Sequence, residues 1–371
     1  MKVLVTGGSG FIGSHTIDCL LDHGHQIRIL DALVPQVHGI SRKCPSYLAS
    51  RAELLVGAVE DPTALSRALE GIDSVIHLAS AVGVGQSMYR IVDYCTTNVL
   101  GTATLLQAMV DSKRCFKSLV VASSMSAYGE GRYRNVDGQL VNPQVRSDAQ
   151  LIAGDWEVRD ASGNLLQPAP TDEQKPLAPT SIYAINKKDQ EEMCLCVGAA
   201  YGIPTTALRL FNVYGSRQAL SNPYTGVAAI FCARLLHNRP PLIFEDGGQR
   251  RDFVHVKDVA RAIVAAAENP VAGQAINVGS GESMSVLQIA EALAQAMKKD
   301  IEPKILKKFR SGDIRHCFAD ITKAKTLLHW KPSVSFKCGV PELIEWVRFQ
   351  HDAQDSIDSA WGELQQRGLL V

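Results

Sequence analysis

The sequence predicts an α/β fold in which a doubly wound parallel sheet is covered by helices on both faces. Three observations support this class. Short apolar runs alternate with helical stretches through the first half of the chain, the first run leads directly into a glycine-rich segment, and the second run ends in an acidic residue. Such alternation is typical of parallel sheets, because parallel strands need a crossover connection that is usually a helix.

Six apolar runs of the first half have the length and composition of buried strands. They are Lys2–Thr6, Gln26–Asp31, Leu54–Gly57, Ser74–Ala79, Leu119–Ser123 and Thr205–Leu210. Between the first two runs, apolar residues fall at helical spacing from Phe11 to Leu21, and Gly24 stands where a helix would end. The second half is more mixed, and its spacing predicts amphipathic helices near Val227–Asn238, Val256–Ala267, Val286–Met297 and Pro341–Gln350.

The composition excludes several classes of protein. Lys plus Arg equals Asp plus Glu at 38 each, so no net charge attracts nucleic acid or an anionic membrane. No apolar run approaches 18 residues, and the start lacks the longer apolar stretch of a secretory signal. The nine cysteines are scattered without a C-x-x-C pair. We therefore expect a cytoplasmic protein with reduced thiols and no metal site.

The segment "TGGSGFIGSH" has the context of a phosphate-binding turn. Gly7, Gly10 and Gly13 follow a predicted strand and open a predicted helix, and Asp31 ends the next strand, 18 positions after Gly13. In a dinucleotide site the first glycine permits the tight turn, the second lets the backbone approach the pyrophosphate, and the third lets helix and strand pack closely. Asp31 would accept a hydrogen bond from the adenosine ribose, which favours NAD over NADP. The alternative is a purely structural turn.

A second motif, "YAINK", places Tyr183 and Lys187 one helical turn apart. A lysine charge beside a phenol favours the phenolate, so we expect the pKa of Tyr183 to fall from about 10 towards about 7, where the side chain is a usable base. The alternative is an exposed helical pair without a chemical role.

Together the G-x-x-G-x-x-G spacing and the Y-x-x-x-K motif resemble the extended short-chain dehydrogenase/reductase family, in its NAD-dependent sugar-nucleotide epimerase/dehydratase branch. The resemblance implies a Rossmann-type fold and a third catalytic residue four positions before the tyrosine of a Y-G pair. In "VVASSMSAYG" that residue is Ser124, with Ser123 and Ser126 as neighbouring candidates. The expected catalytic residues are Ser124, Tyr183 and Lys187.

The same resemblance implies the contacts of NAD. Besides the glycine-rich loop and the Y-x-x-x-K helix, three motifs resemble the family's segments around the cofactor: "IHLAS", "TTNVLGT" and "LRLFNVYG". The expected cofactor contacts are Gly7, Gly10, Phe11, Ile12, Gly13, Asp31, Leu78, Ala79, Ser80, Asn98, Tyr183, Lys187 and Phe211. The chain departs from the family after the third strand, where Ala58 replaces an aspartate that contacts the adenine, and we do not transfer that role to Asp61.

The motifs "RRDFVHVKDVA" and "FRSGDIRH" resemble the family's segments for a nucleoside-diphosphate sugar. Arg251 corresponds to the diphosphate-binding position, Phe253 lies near the base, and Arg310 and Asp313 contact phosphate and ribose. The expected substrate contacts are Ser124, Tyr183, Asn212, Arg251, Phe253, Arg310 and Asp313. Each arginine alone is more often a solvated surface charge, but two clusters in a neutral chain favour a dianionic ligand.

The resemblance implies oxidation at C4 of the sugar, followed by one of three fates for the 4-keto intermediate. Related dehydratases carry Asp-Glu directly after the catalytic Ser or Thr, whereas this chain has Met125 and Ser126. Neither can transfer the proton that elimination needs, so 4-epimerisation is favoured.

The substrate is left open between two classes. Several stretches, "AVGVGQSMY" and "EDGGQRRDF" among them, resemble bacterial dTDP-L-rhamnose 4-epimerases, which implies interconversion of dTDP-6-deoxy-L-talose and dTDP-L-rhamnose. A UDP-hexose 4-epimerase is the main alternative. Two further alternatives agree less well with the motifs. One is another NAD(P)-dependent sugar-nucleotide oxidoreductase, including an NADPH-dependent reductase, and the other is a non-catalytic NAD-binding module.

The resemblance also predicts the organisation of the chain. Residues 1–211 would form the NAD-binding domain and 212–371 the substrate-binding domain, with the chain crossing between the two lobes more than once. The polar segment 131–176 is an expected long loop, either a cap over the sugar pocket or a surface excursion. The partner is expected to be a second copy of the chain, forming a homodimer through the helix of Tyr183 and the helix after Asn98.

Overall fold

The computed structural model of the chain describes residues 1–310, 312–350, 353, 355 and 357–370. Its strands, in chain order, are β1 (Lys2–Thr6), β2 (Gln26–Asp31), β3 (Glu53–Val56), β4 (Ser74–His77), β5 (Ser118–Ser124), β6 (Arg132–Arg134), β7 (Leu140–Val141), β8 (Gln167–Ala169), β9 (Thr205–Leu210), β10 (Asn212–Tyr214), β11 (Leu242–Ile243), β12 (Arg250–Arg251), β13 (Phe253–His255), β14 (Gln274–Val278), β15 (Met284–Ser285), β16 (Lys304–Ile305) and β17 (His316–Cys317).

The α-helices, in the same order, are α1 (Phe11–Asp22), α2 (Pro35–His38), α3 (Pro62–Leu69), α4 (Val84–Ser87), α5 (Ile91–Tyr94), α6 (Gly101–Asp111), α7 (Asp148–Ile152), α8 (Ile182–Tyr201), α9 (Val227–Leu236), α10 (Val256–Glu268), α11 (Val286–Ala296), α12 (Thr322–Leu327), α13 (Phe336–Arg348) and α14 (Ile357–Gln366). A π-helical turn, Cys95–Leu100, precedes α6, and a 3₁₀ turn, Met125–Tyr128, follows β5.

Seven parallel strands form the central sheet, in the order β14-β9-β5-β4-β1-β2-β3. The predicted fold class is therefore confirmed. Three of the six predicted strands have the bounds of the structure, β1, β2 and β9, and the others differ by one or two residues. Apolar residues run continuously along these strands because helices bury both faces of the sheet.

Two clusters of buried side chains hold the helices on the sheet. On one face α1 and α10 pack through residues such as Leu20 and Ile263. On the other face α3, α6 and α8 pack through Leu65, Leu105 and Cys194. A third cluster, built by α9, α11 and α13, forms the core of the second lobe. Strand β14 belongs to the central sheet although it lies late in the chain, so the chain returns to the first lobe after β9.

The segment 131–176 is folded, in contrast to the expected loop. Strands β7, β6 and β8 form an antiparallel sheet within it, and α7 lies between β7 and β8. Buried charges hold the segment and the residue before it: Arg146 donates to Glu245 at 2.9 Å, and Glu130, directly before the segment, accepts the backbone N–H groups of Arg315 and His316 at 2.7 Å each. It packs on the second lobe, where Arg146 donates to the backbone carbonyl of Asp313 at 3.2 Å, and none of its residues lines the cavity described below.

No helix among the described residues is both long and apolar enough to cross a membrane.

A buried polar network ties the ends of β1 and β4 to two helices. His77 Nδ1 lies 2.7 Å from the Thr6 hydroxyl, and His77 Nε2 lies 2.9 Å from the Thr102 hydroxyl on α6. Gln190 on α8 donates to the same Thr102 oxygen at 2.8 Å. Burial lowers the pKa of His77 to about 3, with a smaller contribution from the charge of Lys187. The imidazole is therefore neutral in the folded protein near neutral pH.

This burial predicts that the protein loses stability as the pH falls below about 6.5. The unfolded chain protonates His77 near pH 6.5, whereas the folded chain resists protonation down to about 3. The free energy of unfolding therefore decreases by up to about 1.4 kcal/mol per pH unit from this residue. Urea denaturation between pH 7.5 and 5 measures the slope. We expect His77→Asn to flatten it by roughly that amount, and an unchanged slope would contradict the assignment.

Candidate active site

A cavity of about 630 Å³ runs along the carboxyl ends of the central strands and continues between the two lobes. In an open parallel sheet, ligands bind in the crevice at this edge, where the strand order reverses. Here the reversal lies between β1 and β4, and the glycine-rich loop and the segment after β4 both line the cavity.

The glycine-rich loop forms a cradle that leaves no room for side chains. Gly7 has a φ of +69°, and a Cβ placed on it would lie 2.7 Å from the backbone N of Ala79. A Cβ on Gly13 would lie 2.5 Å from the carbonyl O of Gly7. Gly10, Phe11 and Ile12 line the cavity at the start of α1, and no side chain of the described residues caps that helix. Backbone N–H groups and the positive end of the helix are thus available to a pyrophosphate.

Asp31 lies on the cavity wall at the end of β2, as expected. Its carboxylate accepts the backbone N–H groups of Ser9 and Leu33, each at 2.9 Å, which fixes its orientation towards the cavity. His38 on α2 lies 3.7 Å from the same carboxylate and also lines the cavity. Sequence reasoning missed this histidine because a turn of α2 brings it back beside Asp31.

Leu78, Ala79 and Ser80 line the cavity, but Asn98 does not. The Asn98 side chain is fully buried and holds the loop after β4. Its Oδ1 accepts the backbone N–H of Ala81 at 2.7 Å and the Ser80 hydroxyl at 3.0 Å, while its Nδ2 donates to the Ala81 carbonyl at 3.1 Å. These three bonds engage both polar atoms of the amide. The structure therefore gives Asn98 a positioning role behind the wall.

Ser124, Tyr183 and Lys187 meet on the cavity wall at the end of β5. The Ser124 hydroxyl accepts the backbone N–H of Ser126 at 3.1 Å and lies close enough to the Tyr183 hydroxyl to act on its pKa. Tyr183 lies in the first turn of α8, where Ser181 caps the helix and the Ser87 hydroxyl accepts the Tyr183 backbone N–H at 3.0 Å. Lys187 lies one turn later and donates to the Ala122 carbonyl at 2.9 Å.

The pKa of Tyr183 is raised to about 12, not lowered as expected. Burial is the main cause, and the Ser124 hydrogen bond opposes it. Burial also lowers the pKa of Lys187 to about 7, so near neutral pH the lysine carries only part of a charge. The sequence shows that the two side chains share a helical face, but it does not show that both are buried away from water. Desolvation is the larger effect on both pKa values here.

The expected substrate contacts Asn212, Arg251, Phe253, Arg310 and Asp313 all line the cavity on the side of the second lobe, and Phe211, expected to contact NAD, lines it beside Asn212. Arg310 donates to Asp313 at 2.7 Å, and the guanidinium of Arg251 lies 3.8 Å from the other Asp313 oxygen. Burial acts to raise the pKa of Asp313, yet these two arginines hold it below its usual value. Two guanidinium groups thus converge where the sequence predicts a diphosphate.

Several cavity residues are not among the expected contacts. The amide oxygens of Gln218 and Gln249 are buried on the cavity wall without a partner among the described residues. Phe244 also lines the cavity, and so do Ala360, Trp361 and Leu364 of the last helix, α14. Both glutamines lie in stretches that resemble the family: Gln218 in "SRQALSNPYTGVAAIF", and Gln249 beside Arg250 and Arg251 in "EDGGQRRDF". The described residues contain no cluster of side chains suited to a metal ion.

Comparison with known proteins decides the family. The model of the NAD dependent epimerase/dehydratase family matches residues 3–279. The chain belongs to this family. NAD is the cofactor of the enzyme.

Individual relatives cover nearly the whole chain. A dTDP-L-rhamnose 4-epimerase of Burkholderia thailandensis is 36% identical over 95% of this chain and 97% of its own length. Among solved structures, the UDP-glucose 4-epimerase of Thermotoga maritima with UDP-glucose has a TM-score of 0.76 and 30% identity, covering 94% of this chain and 99% of that one. The UDP-glucuronic acid 4-epimerase of Bacillus cereus, in complex with UDP-glucuronic acid and NAD, has a TM-score of 0.76 and 29% identity over the same shares. The chain is an NAD-dependent sugar-nucleotide enzyme.

The cradle predicts that Gly13→Ala loses NAD. The added methyl would lie 2.5 Å from the Gly7 carbonyl O and 2.6 Å from the Gly8 Cα, so the loop must move away from α1. We expect the affinity for NAD to fall at least tenfold, measured by calorimetric titration of protein freed of nucleotide. Gly71→Ala is the control. It places a methyl in open space at a turn of φ +72°, so it should cost stability but leave NAD binding unchanged. Equal NAD affinity in both variants would contradict the cradle.

Proposed function

We propose that the chain is a nucleoside-diphosphate-sugar 4-epimerase that acts through a transient 4-keto sugar. The observation that carries the proposal is the wall around Ser124. Ser124 and Tyr183 are paired there, and the next residues, Met125 and Ser126, also line the cavity. Proton transfer at one sugar oxygen is thus available, while the acid and base for elimination of water are lacking.

The carboxylates of the cavity lie elsewhere. Among the described lining residues they are Asp31, Glu60 and Asp313. Asp31 and Glu60 follow β2 and β3, on the far side of β1 and β4 from the catalytic strand, and Asp313 is engaged by Arg310. None of them replaces the acidic pair of a dehydratase, so the 4-keto sugar can only be reduced again or released.

Tyr183 is the base in this proposal. Its phenolate takes the proton of the C4 hydroxyl, and the Ser124 hydroxyl donates a hydrogen bond to the same oxygen. The loop of Gly7, Gly10 and Gly13 would hold NAD, and the bound cofactor would supply the acceptor and then the donor for the C4 hydride. Because the pKa of Tyr183 is raised to about 12, mainly by burial, the base needs positive charge nearby, and protonated Lys187 one turn away supplies part of it.

Arg251 and Arg310 hold the diphosphate while the sugar turns. Inversion at C4 requires the 4-keto sugar to present its other face to the same wall. A diphosphate fixed by two guanidinium groups allows this, because rotation about the bonds to the sugar needs no change at the charged end. We propose that residues 1–211 hold NAD and residues 212–371 hold the sugar nucleotide, with β14 as the part of the second segment that joins the central sheet.

We propose dTDP-L-rhamnose and dTDP-6-deoxy-L-talose as the substrate pair. The proposal is supported by the similarity to the Burkholderia thailandensis enzyme, at 36% identity over nearly the full length of both chains. UDP-hexose 4-epimerisation is the second candidate, supported by the fold shared with the Thermotoga maritima enzyme that binds UDP-glucose.

A proton NMR time course of the purified protein with dTDP-L-rhamnose and no added cofactor tests the function. We expect signals of the C4 epimer to appear, with the NAD that the purified protein retains or, if none is retained, after NAD is added. An unchanged spectrum after addition of NAD would overturn this substrate, and the same experiment with UDP-glucose then tests the second candidate.

We expect Tyr183→Phe to lower kcat by at least about 100-fold, because it removes the general base. The NAD content should be unchanged. Tyr201→Phe, at the exposed end of the same helix, is the matched control and should keep full activity. Comparable activity of the two variants would contradict the role of Tyr183.

A further inference from the structure

Three segments that are distant in the chain meet at the cavity. They are residues 34–38, which include α2, residues 82–89, which include α4, and the loop 218–226 between β10 and α9. Each segment contributes to the cavity wall, with His38 from the first, Val84 from the second and Asn222 from the third. The first two segments belong to the first lobe and the loop leads into the second, so their meeting joins the lobes across the cavity.

Gln36 on α2 connects the three segments. Its Nε2 donates to Oε1 of Gln86 and to Oδ1 of Asn222, each at 3.1 Å. Gln36 itself is exposed, whereas Gln86 and Asn222 are each only 8% exposed. The side chain therefore reaches inward from the surface and ties two buried oxygens together. We call this contact the Gln36 bridge.

The two accepting amides are fixed by other bonds. The Tyr94 hydroxyl donates to Gln86 Oε1 at 3.1 Å, and the backbone N–H of Tyr224 donates to Asn222 Oδ1 at 3.0 Å. Because each oxygen also serves a donor of its own segment, neither amide can turn its NH₂ group towards Gln36 without losing a bond. The bridge therefore requires a hydrogen-bond donor at position 36.

The order of the central sheet places the bridge in front of the glycine-rich loop. Strand β1 lies between β4 and β2, segment 34–38 follows β2, and segment 82–89 follows β4. A contact between these two segments therefore crosses the carboxyl end of β1, where Gly7, Gly10 and Gly13 form the cradle. A pyrophosphate held by the cradle would lie between the start of α1 and the bridge.

The loop 218–226 also packs directly on segment 82–89. The Tyr224 hydroxyl lies 2.5 Å from the Tyr89 hydroxyl, and a Cβ on Gly83 would lie 2.7 Å from the Tyr224 Cβ. These contacts join the loop to the segment after β4 without help from α2. Gln36 thus fastens α2 to a surface that already connects the two lobes.

We propose that Gln36 is a positioning residue that retains NAD, because its bridge must open before the bound cofactor can leave the cradle. The inference goes beyond the proposed function, since it requires only that NAD occupies the cradle. In the proposed epimerase, retention would keep the reduced cofactor in place until the hydride returns to the sugar.

Release of NADH from the purified protein tests the proposal. Protein loaded with NADH is mixed with a large excess of NAD, and the loss of NADH fluorescence in a stopped-flow instrument gives the dissociation rate constant. Gln36→Met keeps the length of the side chain, removes the donor and adds no charge near the pyrophosphate. Since it deletes two hydrogen bonds to buried acceptors, we expect release to be on the order of 10-fold faster than in the wild type.

Gln26→Met is the matched control. It makes the same change at an exposed position, at the opposite end of β2 from Asp31, and should leave the release rate unchanged. Asn222→Ala is the second variant, because it removes one of the two acceptors. Its effect on release should be smaller in the Gln36→Met background than in the wild type, since the bond to Gln36 is already absent there.

Equal release rates in the wild type and Gln36→Met would overturn the proposal, even if Gln36→Met lowered the melting temperature. Independent effects of Gln36→Met and Asn222→Ala would overturn it as well, because they would show that no bridge couples the two residues. No sugar enters the measurement, so its outcome is separate from the epimerase function. Faster release from Gln36→Met, together with no turnover of any sugar nucleotide by the wild type, would refute that function and support the inference.

Discussion

The close approach of α1 to the ends of β1 and β4 is the constraint on which the site depends. It exists because Gly7 and Gly13 have no side chains: a Cβ on either would lie within 2.7 Å of backbone atoms. The contact places the uncapped start of α1 on the cavity wall, and it brings the end of β1 beside the end of β4. Thr6 and His77 meet there, and their network continues to α8, which carries Tyr183 and Lys187. The cofactor cradle and the catalytic helix are therefore parts of one rigid arrangement.

Burial is the second physical theme of the site. It raises the pKa of Tyr183 to about 12 and lowers that of Lys187 to about 7, so the protein alone disfavours both charged forms. The cost of charging either side chain is reduced when opposite charges enter the same enclosed space. The chemistry thus depends on ligands that complete the electrostatics of the cavity.

Much of this arrangement could be predicted from local sequence. The bounds of β1 and β2 follow from short apolar runs that end at Gly7 and after Asp31, and the catalytic wall follows from two motifs whose spacing is set by a strand end and a helical turn. Asp61, to which we transfer no adenine contact, caps α3 because its carboxylate accepts the N–H groups of Thr63 and Ala64. These features are local, and local sequence determines them.

The features that escaped prediction depend on distant contacts. Asn98 lies at the expected place in the chain, but its amide is engaged by the loop at Ala81. The fold of 131–176 depends on buried ion pairs with residues about 100 or more positions away, such as Arg146 with Glu245. The contribution of α14 depends on the cleft between the lobes. The homodimer stays a prediction, with exposed apolar side chains at Leu100 and Ile185 on the segments it would use.

The central claim is that oxidation and reduction occur at the same carbon, C4, within one enclosed site. Epimerisation of dTDP-L-rhamnose carrying deuterium at C4, carried out in ordinary water and followed by mass spectrometry and NMR, tests it most directly. The account predicts that the product retains the deuterium at C4, because the hydride never leaves the site. Loss of deuterium from C4 to solvent, or solvent exchange at C3 or C5 when an unlabelled substrate is used in D₂O, would contradict it.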